Sequence, residues 1–235
     1  GYQGGNHGEA VEWLDAKNKG LDMSPSGRIA RASDQGFGTD NDLIVYRGSD
    51  IDMAEADIDS RSGKTRGTGI FASSNPEIGN TYAGRPGGNV AQYYVKRDNH
   101  LTVVADGESW DSIPEDVMAI LPDGREVPLF EALGFESASQ IHTSTDDIMR
   151  AARELGYSSA SIKNIIDPGE FHTGVDYLDI DPSTTTAVFD PAKIRSVNAA
   201  FDPDFKNSAN LLRSAAPIAG AGYMYSTSDD KTSKP

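Results

Sequence analysis

The chain has 235 residues, a formal charge of −15, 24 glycines and 37% hydrophobic residues, which allows one domain with a sizeable core plus polar extensions. So acidic a balance argues against a general binder of phosphate backbones and favours a basic partner. With no cysteine there is no disulfide framework or thiolate zinc site; His7, His100, His142 and His172 lack metal-ligand spacing, and no apolar run nears the roughly 20 residues that cross a bilayer.

No signal-peptide pattern opens the chain, and residues 1–8 read as disordered. A short helix follows at about Glu9 to Lys19, with Val11 and Leu14 sharing a face, and Gly20 ends it. Ser24 and Pro25 start a second helix: the hydroxyl caps free amides and proline presets φ for the first turn. Gly36 stops it, and Ile29 with Ala32 or Ala30 is expected toward the core. Residues 43–46, mostly β-branched or aromatic, read as a central strand.

Residues 50–66 are polar and read as a surface loop; a second strand is expected at Gly69 to Ser73. Ser74 or Asn75 then caps a helix beginning at Pro76, with Glu77 in its first turn where negative charge is favoured. After a turn at 84–88, strands are expected near 90–95 and 100–104, joined by a turn at 97–99. Residues 105–143 carry the weakest pattern. Trp110 is expected to anchor a loop there, and 127–133 to be helical. A better helix runs from Ser144 or Thr145 to Gly156, with Ile148, Ala151, Ala152 and Leu155 on one face. Strands near 160–166, 177–180 and 185–190 follow, then from about Ala209 a small helix and a polar tail. Helices first and then short strands with inserted helices indicate an α+β domain. No glycine-rich dinucleotide fingerprint follows a strand, and no phosphate-binding loop is present, which makes those two nucleotide-binding folds poor readings.

Three places are chemically suggestive. Arg47 ends an apolar strand, where its guanidinium can grip a phosphate or ribose hydroxyls, or form an ion pair with a nearby acid. Gly48 beside it permits close approach of a flat ligand. Ser73 and Ser74 read as a strand end and a helix cap. Tyr82 is either a core-facing aromatic or a surface on which a ring such as nicotinamide stacks.

The strand Tyr46-Arg47-Gly48-Ser49, followed by Gly69-Ile70-Phe71-Ala72-Ser73 and a helix ending in Tyr82, resembles the ADP-ribosyltransferase superfamily. The spacing from Gly69 to Tyr82 matches its second motif without a gap. Residues 21–25, 104–110, 187–196 and 200–203 resemble the ADP-ribosyltransferase-like domains of phage and mobile-element polyvalent proteins. The resemblance implies a split core of two small mixed or antiparallel sheets, with N-terminal and inserted helices. It implies an extension over 1–20, the domain over 21–208, and a flexible tail over 209–235.

It also implies NAD⁺ as substrate, with no metal. Tyr46, Arg47, Gly48 and Ser49 would line one side of the cleft, and Gly69, Phe71, Ser73, Ser74 and Tyr82 the other. Arg47 would hold ribose or phosphates, Gly48 would bond the carboxamide, Ser73 would fill the serine role, and Phe71 and Tyr82 would flank the nicotinamide. Two positions depart from the pattern. Arg47 stands where the matching branch has histidine, and Thr185 where the third-motif glutamate is expected. Polymer formation is therefore not expected, and mono-ADP-ribosylation requires another acid: Asp176, Asp179, Asp181 or, less favourably, Glu170.

The implied protein is a soluble monomeric transferase of toxin, effector or phage type. It would act in the cytoplasm of a host or target cell, on a protein ahead of a nucleic acid and on no membrane. Two alternatives stay open: a metal-independent nuclease using His142 or His172 with Arg47 or Lys163, and an inactive NAD⁺- or protein-binding module of the same fold.

Overall fold

The computed structural model of the protein describes residues 7–49, 68–83, 89–136, 143–169 and 181–206. Two helices, α1 (His7–Asn18) and α2 (Pro25–Asp34), precede β1 (Leu43–Ser49). β2 (Ile70–Ser73), α3 (Pro76–Thr81), β3 (Asn89–Val95) and β4 (His100–Val104) follow. Then come the small hairpin β5 (Met118–Ile120) and β6 (Glu126–Pro128), the helices α4 (Leu129–Ala132) and α5 (Thr145–Glu154), and β7 (Ser159–Ile165), β8 (Ser183–Val188) and β9 (Ile194–Ser196). The α+β class is as expected. The expected strand at 177–180, loop at 50–66, turn at 84–88 and tail from 209 lie outside the described residues.

The nine strands form one mixed sheet in the order β6-β5-β4-β7-β8-β2-β1-β3-β9, with β4 and β7 parallel and the other pairs antiparallel. Two separate small sheets are therefore not what hydrogen bonding produces. The joint between the halves is narrow, however. β1 and β3 pair over seven positions, from Leu43↔Val95 to Ser49↔Asn89, whereas β1 and β2 register only at Tyr46↔Ser73. Apolar packing is not divided at that joint, because the second of the two cores takes Ile70 from β2 and Val188 from β8 across it. Leu101, Val103, Ile162 and α5 residues Ile148 and Met149 build one core, while Val45, Ile70, Tyr93, Val95, Val188 and Ile194 build a second.

The caps behave as their chemistry dictates. Ser24 accepts from the Gly27 amide at 3.1 Å, and Ser144 accepts from the Asp147 amide at 3.2 Å, each satisfying an otherwise free first-turn donor. The buried faces are less simply read. On α1 it is Trp13 and Ala16 that pack, against Leu21, Met23 and Ala200, and Leu14 is exposed. Ile29 is exposed while Ala32 is buried with Phe37 and Phe201, because α2 meets the body along a narrower stripe than its apolar residues suggest. Leu155 falls just past the end of α5 and is exposed; Met149 takes the buried place beside Ile148 and Ala152.

Candidate active site

β1 runs to Ser49, three residues past the expected 43–46, so Arg47 lies within the strand and not at its end. Their cross-strand neighbours on β3 are Ala91, Val90 and Asn89. The ladder to β2 stops at Tyr46, so β1 and β2 part just where Arg47 begins. The Arg47 guanidinium donates to the Phe71 carbonyl of β2, across that opening. A side-chain donor thus serves a backbone acceptor at a place where the strands have separated. Desolvation lowers the Arg47 pKa from its ordinary value, and the phenols of Tyr93 and Tyr82 act in the opposite sense. The sequence alternative of an ion pair did not anticipate a carbonyl partner; that contact depends on the β1–β2 geometry, not on neighbouring charge.

Gly48 is small because a helix lies on it. A Cβ built there would stand 1.9 Å from the Gly79 carbonyl oxygen and 2.8 Å from the Ala83 amide nitrogen, so α3 passes over β1 backbone to backbone. The expected close approach is therefore made by α3, not by an open face. Gly69 is similar: its missing side chain leaves room for Phe189, whose ring would lie 3.0 Å from an added Cβ.

α3 is capped by Asn75, whose side-chain oxygen accepts from the Glu77 amide at 2.9 Å; Ser74 is not the cap. The two serines fasten β2 to β8 instead. Ser73 Oγ accepts from the Asn75 amide at 3.1 Å and lies 3.5 Å from Ser183 Oγ. Ser74 exchanges two bonds with Thr184, its amide donating to the carbonyl at 2.8 Å and its hydroxyl accepting from the amide at 2.9 Å. Tyr82 forms the C-cap of α3 and is 46% exposed, which removes the core-aromatic reading. Phe71 is half-buried against the larger core.

Tyr46, Ser73 and Thr185 stand opposite one another on β1, β2 and β8, so their side chains make one row on one face of the sheet. Thr185 is buried, and its hydroxyl donates to an oxygen of the Asp167 carboxylate at 3.1 Å. The other Asp167 oxygen accepts from the Gly169 amide at 2.9 Å. Gly169 has φ +71°, and a Cβ there would lie 2.2 Å from the Thr81 hydroxyl, so this loop rests against the end of α3. Asp167 was not anticipated. A visible signal was Asp167-Pro168-Gly169 directly after a strand, a turn sequence that leaves an acid at the strand end.

Among the other expected acids, Asp181 is exposed just before β8. Asp176, Asp179, Glu170, His142 and His172 lie outside the described residues. Lys163, invoked for nuclease chemistry, is on β7. Among the described residues no group of three or more His, Asp or Glu is placed to hold a metal ion, and no helix is long and apolar enough to cross a membrane.

A family model described as ADP-ribosyltransferase in polyvalent proteins matches residues 40–202, which contain all of these site elements. No curated protein and no solved structure matches the chain significantly. The family match covers well over half of the 235 residues, and the chain belongs to that ADP-ribosyltransferase family.

Proposed function

We propose that this ADP-ribosyltransferase-family chain is a mono-ADP-ribosyltransferase. It takes NAD⁺, releases nicotinamide, and transfers ADP-ribose to a host macromolecule, a protein ahead of a nucleic acid. The observation that carries the reading is the parting of β1 and β2 after Tyr46↔Ser73, spanned by Arg47 and neighboured by the exposed ring of Tyr82. Such an opening, with a cation inside and an aromatic surface near it, suits a phosphorylated dinucleotide with a flat positively charged ring.

In this reading NAD⁺ lies in the opening, with Arg47 against ribose or phosphate oxygens and nicotinamide between Phe71 and Tyr82. The bond from ribose C1′ to the ring nitrogen breaks, and its electron pair leaves with nicotinamide. The acceptor supplies the pair for the new bond to C1′ and releases a proton. The barrier lies in the oxocarbenium character of C1′, so fixing the leaving ring and placing negative charge near C1′ accelerate the reaction. Thr185 in place of a carboxylate supports single transfer over chain growth. The charge of −15 supports a basic target and solubility; a toxin- or phage-type effector acting in the cytoplasm of a target cell is what the resemblance to polyvalent-protein domains implies.

Labelled NAD⁺ incubated with the protein and a cell lysate tests this. Label on a macromolecule, with nicotinamide release, and loss of both in Arg47→Ala are the expected outcomes. No nicotinamide release at high enzyme concentration overturns the proposal. NAD⁺ binding without turnover moves the chain to the second reading, an inactive module, which Thr185 at the glutamate position favours.

A further inference from the structure

We infer that Asp167 is the catalytic carboxylate of this site and that Thr185 is its positioning residue. The inference rests on the transferase reading above and names the group that reading lacks. β8 carries Thr185 in the row with Tyr46 and Ser73, so no charge arises from that row itself. The charge comes from the neighbouring strand. β7 pairs with β8 as Ile162↔Thr185 but, two residues of β8 away, as Ile165↔Ser183, which means one extra residue is accommodated in β7 between them. Asn164 sits there with φ +55°, in the left-handed region that such a bulge uses. A bulge bends a strand and re-aims the residues beyond it, and Asp167 is two residues beyond the end of β7.

Two hydrogen bonds then hold the carboxylate. Thr185 donates to one oxygen and the Gly169 amide to the other. Gly169 is buried against Thr81, which ties the loop to α3, the helix that ends in Tyr82. Asp167 itself is half-buried, so its carboxylate is gripped without being sealed from the site. Each oxygen has two acceptor positions, and one on each is used, which leaves capacity for a substrate hydroxyl. A fixed carboxylate of this kind stabilises positive charge at ribose C1′ as the nicotinamide bond breaks. It then accepts the proton that the acceptor nucleophile loses when its bond to C1′ forms, and passes that proton to water. No oxidant or reductant is needed.

The test compares NAD⁺ binding by calorimetry with nicotinamide release in the full chain. Asp167→Asn should bind NAD⁺ within about threefold of wild type while kcat falls by roughly 10²–10⁴-fold. Thr185→Val should lower kcat by about tenfold with little change in KM, and Thr185→Ser, which keeps the donor, should stay near wild type. Should Asp167→Asn fail to fold, the two threonine variants decide: equal kcat in both overturns the assignment. Wild-type turnover retained in a folded Asp167→Asn overturns Asp167 alone and leaves the transferase reading intact. Wild-type protein that neither binds nor consumes NAD⁺ overturns both.

Discussion

Gly48→Ala is the sharpest structural perturbation among the described glycines. The added Cβ would sit 1.9 Å from the Gly79 oxygen and within 3.0 Å of two further backbone atoms, and backbone cannot rotate away as a side chain can. An ordinary contact of 3.4 Å requires α3 to withdraw by about 1.5 Å. Overpacking of this kind costs about 1–3 kcal/mol, and a domain of this size loses about 2–4 °C of Tm for each kcal/mol, so a drop of roughly 2–12 °C is expected. The functional loss should be larger. Tyr82 caps α3 and moves with it, and a misplacement near 1 Å costs about a hundredfold in rate. Gly79→Ala, on the facing backbone, is the control. Its Cβ would meet Val90 at 3.4 Å and Tyr46 at 3.5 Å, ordinary contacts, and removing a glycine from a helix is worth about 0.5–1 kcal/mol. Thermal melting of the three proteins, read beside nicotinamide release, separates the cases. A Gly48→Ala protein that melts within about 1 °C of wild type, with unchanged turnover, would refute the argument that α3 lies on β1 backbone.

Other outcomes follow from single contacts. Gly169→Ala combines a left-handed φ with a Cβ 2.2 Å from Thr81, so it should lower Tm and reduce kcat more than NAD⁺ affinity, because the loop holding Asp167 shifts. Asn75→Ala removes the cap of α3 and should cost about 0.5–2 kcal/mol in urea unfolding, with Asn75→Asp restoring most of it. His100 is buried, with Nδ1 2.7 Å from Ser159 Oγ, and desolvation pushes its pKa down from 6.5 to about 4. The unfolded imidazole takes up its proton first, so its contribution is complete above about pH 6.5 and is lost progressively as pH falls toward 4. That contribution is ~3 kcal/mol, and unfolding of wild type and His100→Gln at pH 7 and pH 5 should show the smaller pH dependence in the variant.

Much of the site's framework is legible in the residues because its causes are local. Ser24, Asn75 and Ser144 cap helices through bonds two or three residues away, and the β-branched run before Arg47 forms a strand whatever surrounds it. What escaped prediction is set by distant parts of the chain. Leu14, Ile29 and Leu155 have the right periodicity for burial, yet which arc of a helix meets the body is decided by partners such as Ala200 and Phe201, far away in sequence. The β5–β6 hairpin and β9 have three residues per strand and owe their form to pairing, not propensity. Arg47 was recognisable as unusual, but its carbonyl partner was not, since that bond exists only because β1 and β2 separate. Asp167 illustrates the same limit. Eighteen positions from Thr185, it reaches the site through the bulge in β7.

The most direct measurement is the structure of the protein with a non-cleavable carbocyclic analogue of NAD⁺. The account predicts the analogue in the opening between β1 and β2, its phosphates or ribose against Arg47, its nicotinamide between Phe71 and Tyr82, and C1′ facing Asp167. An analogue bound on another face, or with C1′ turned away from the Thr185–Asp167 pair, would contradict it.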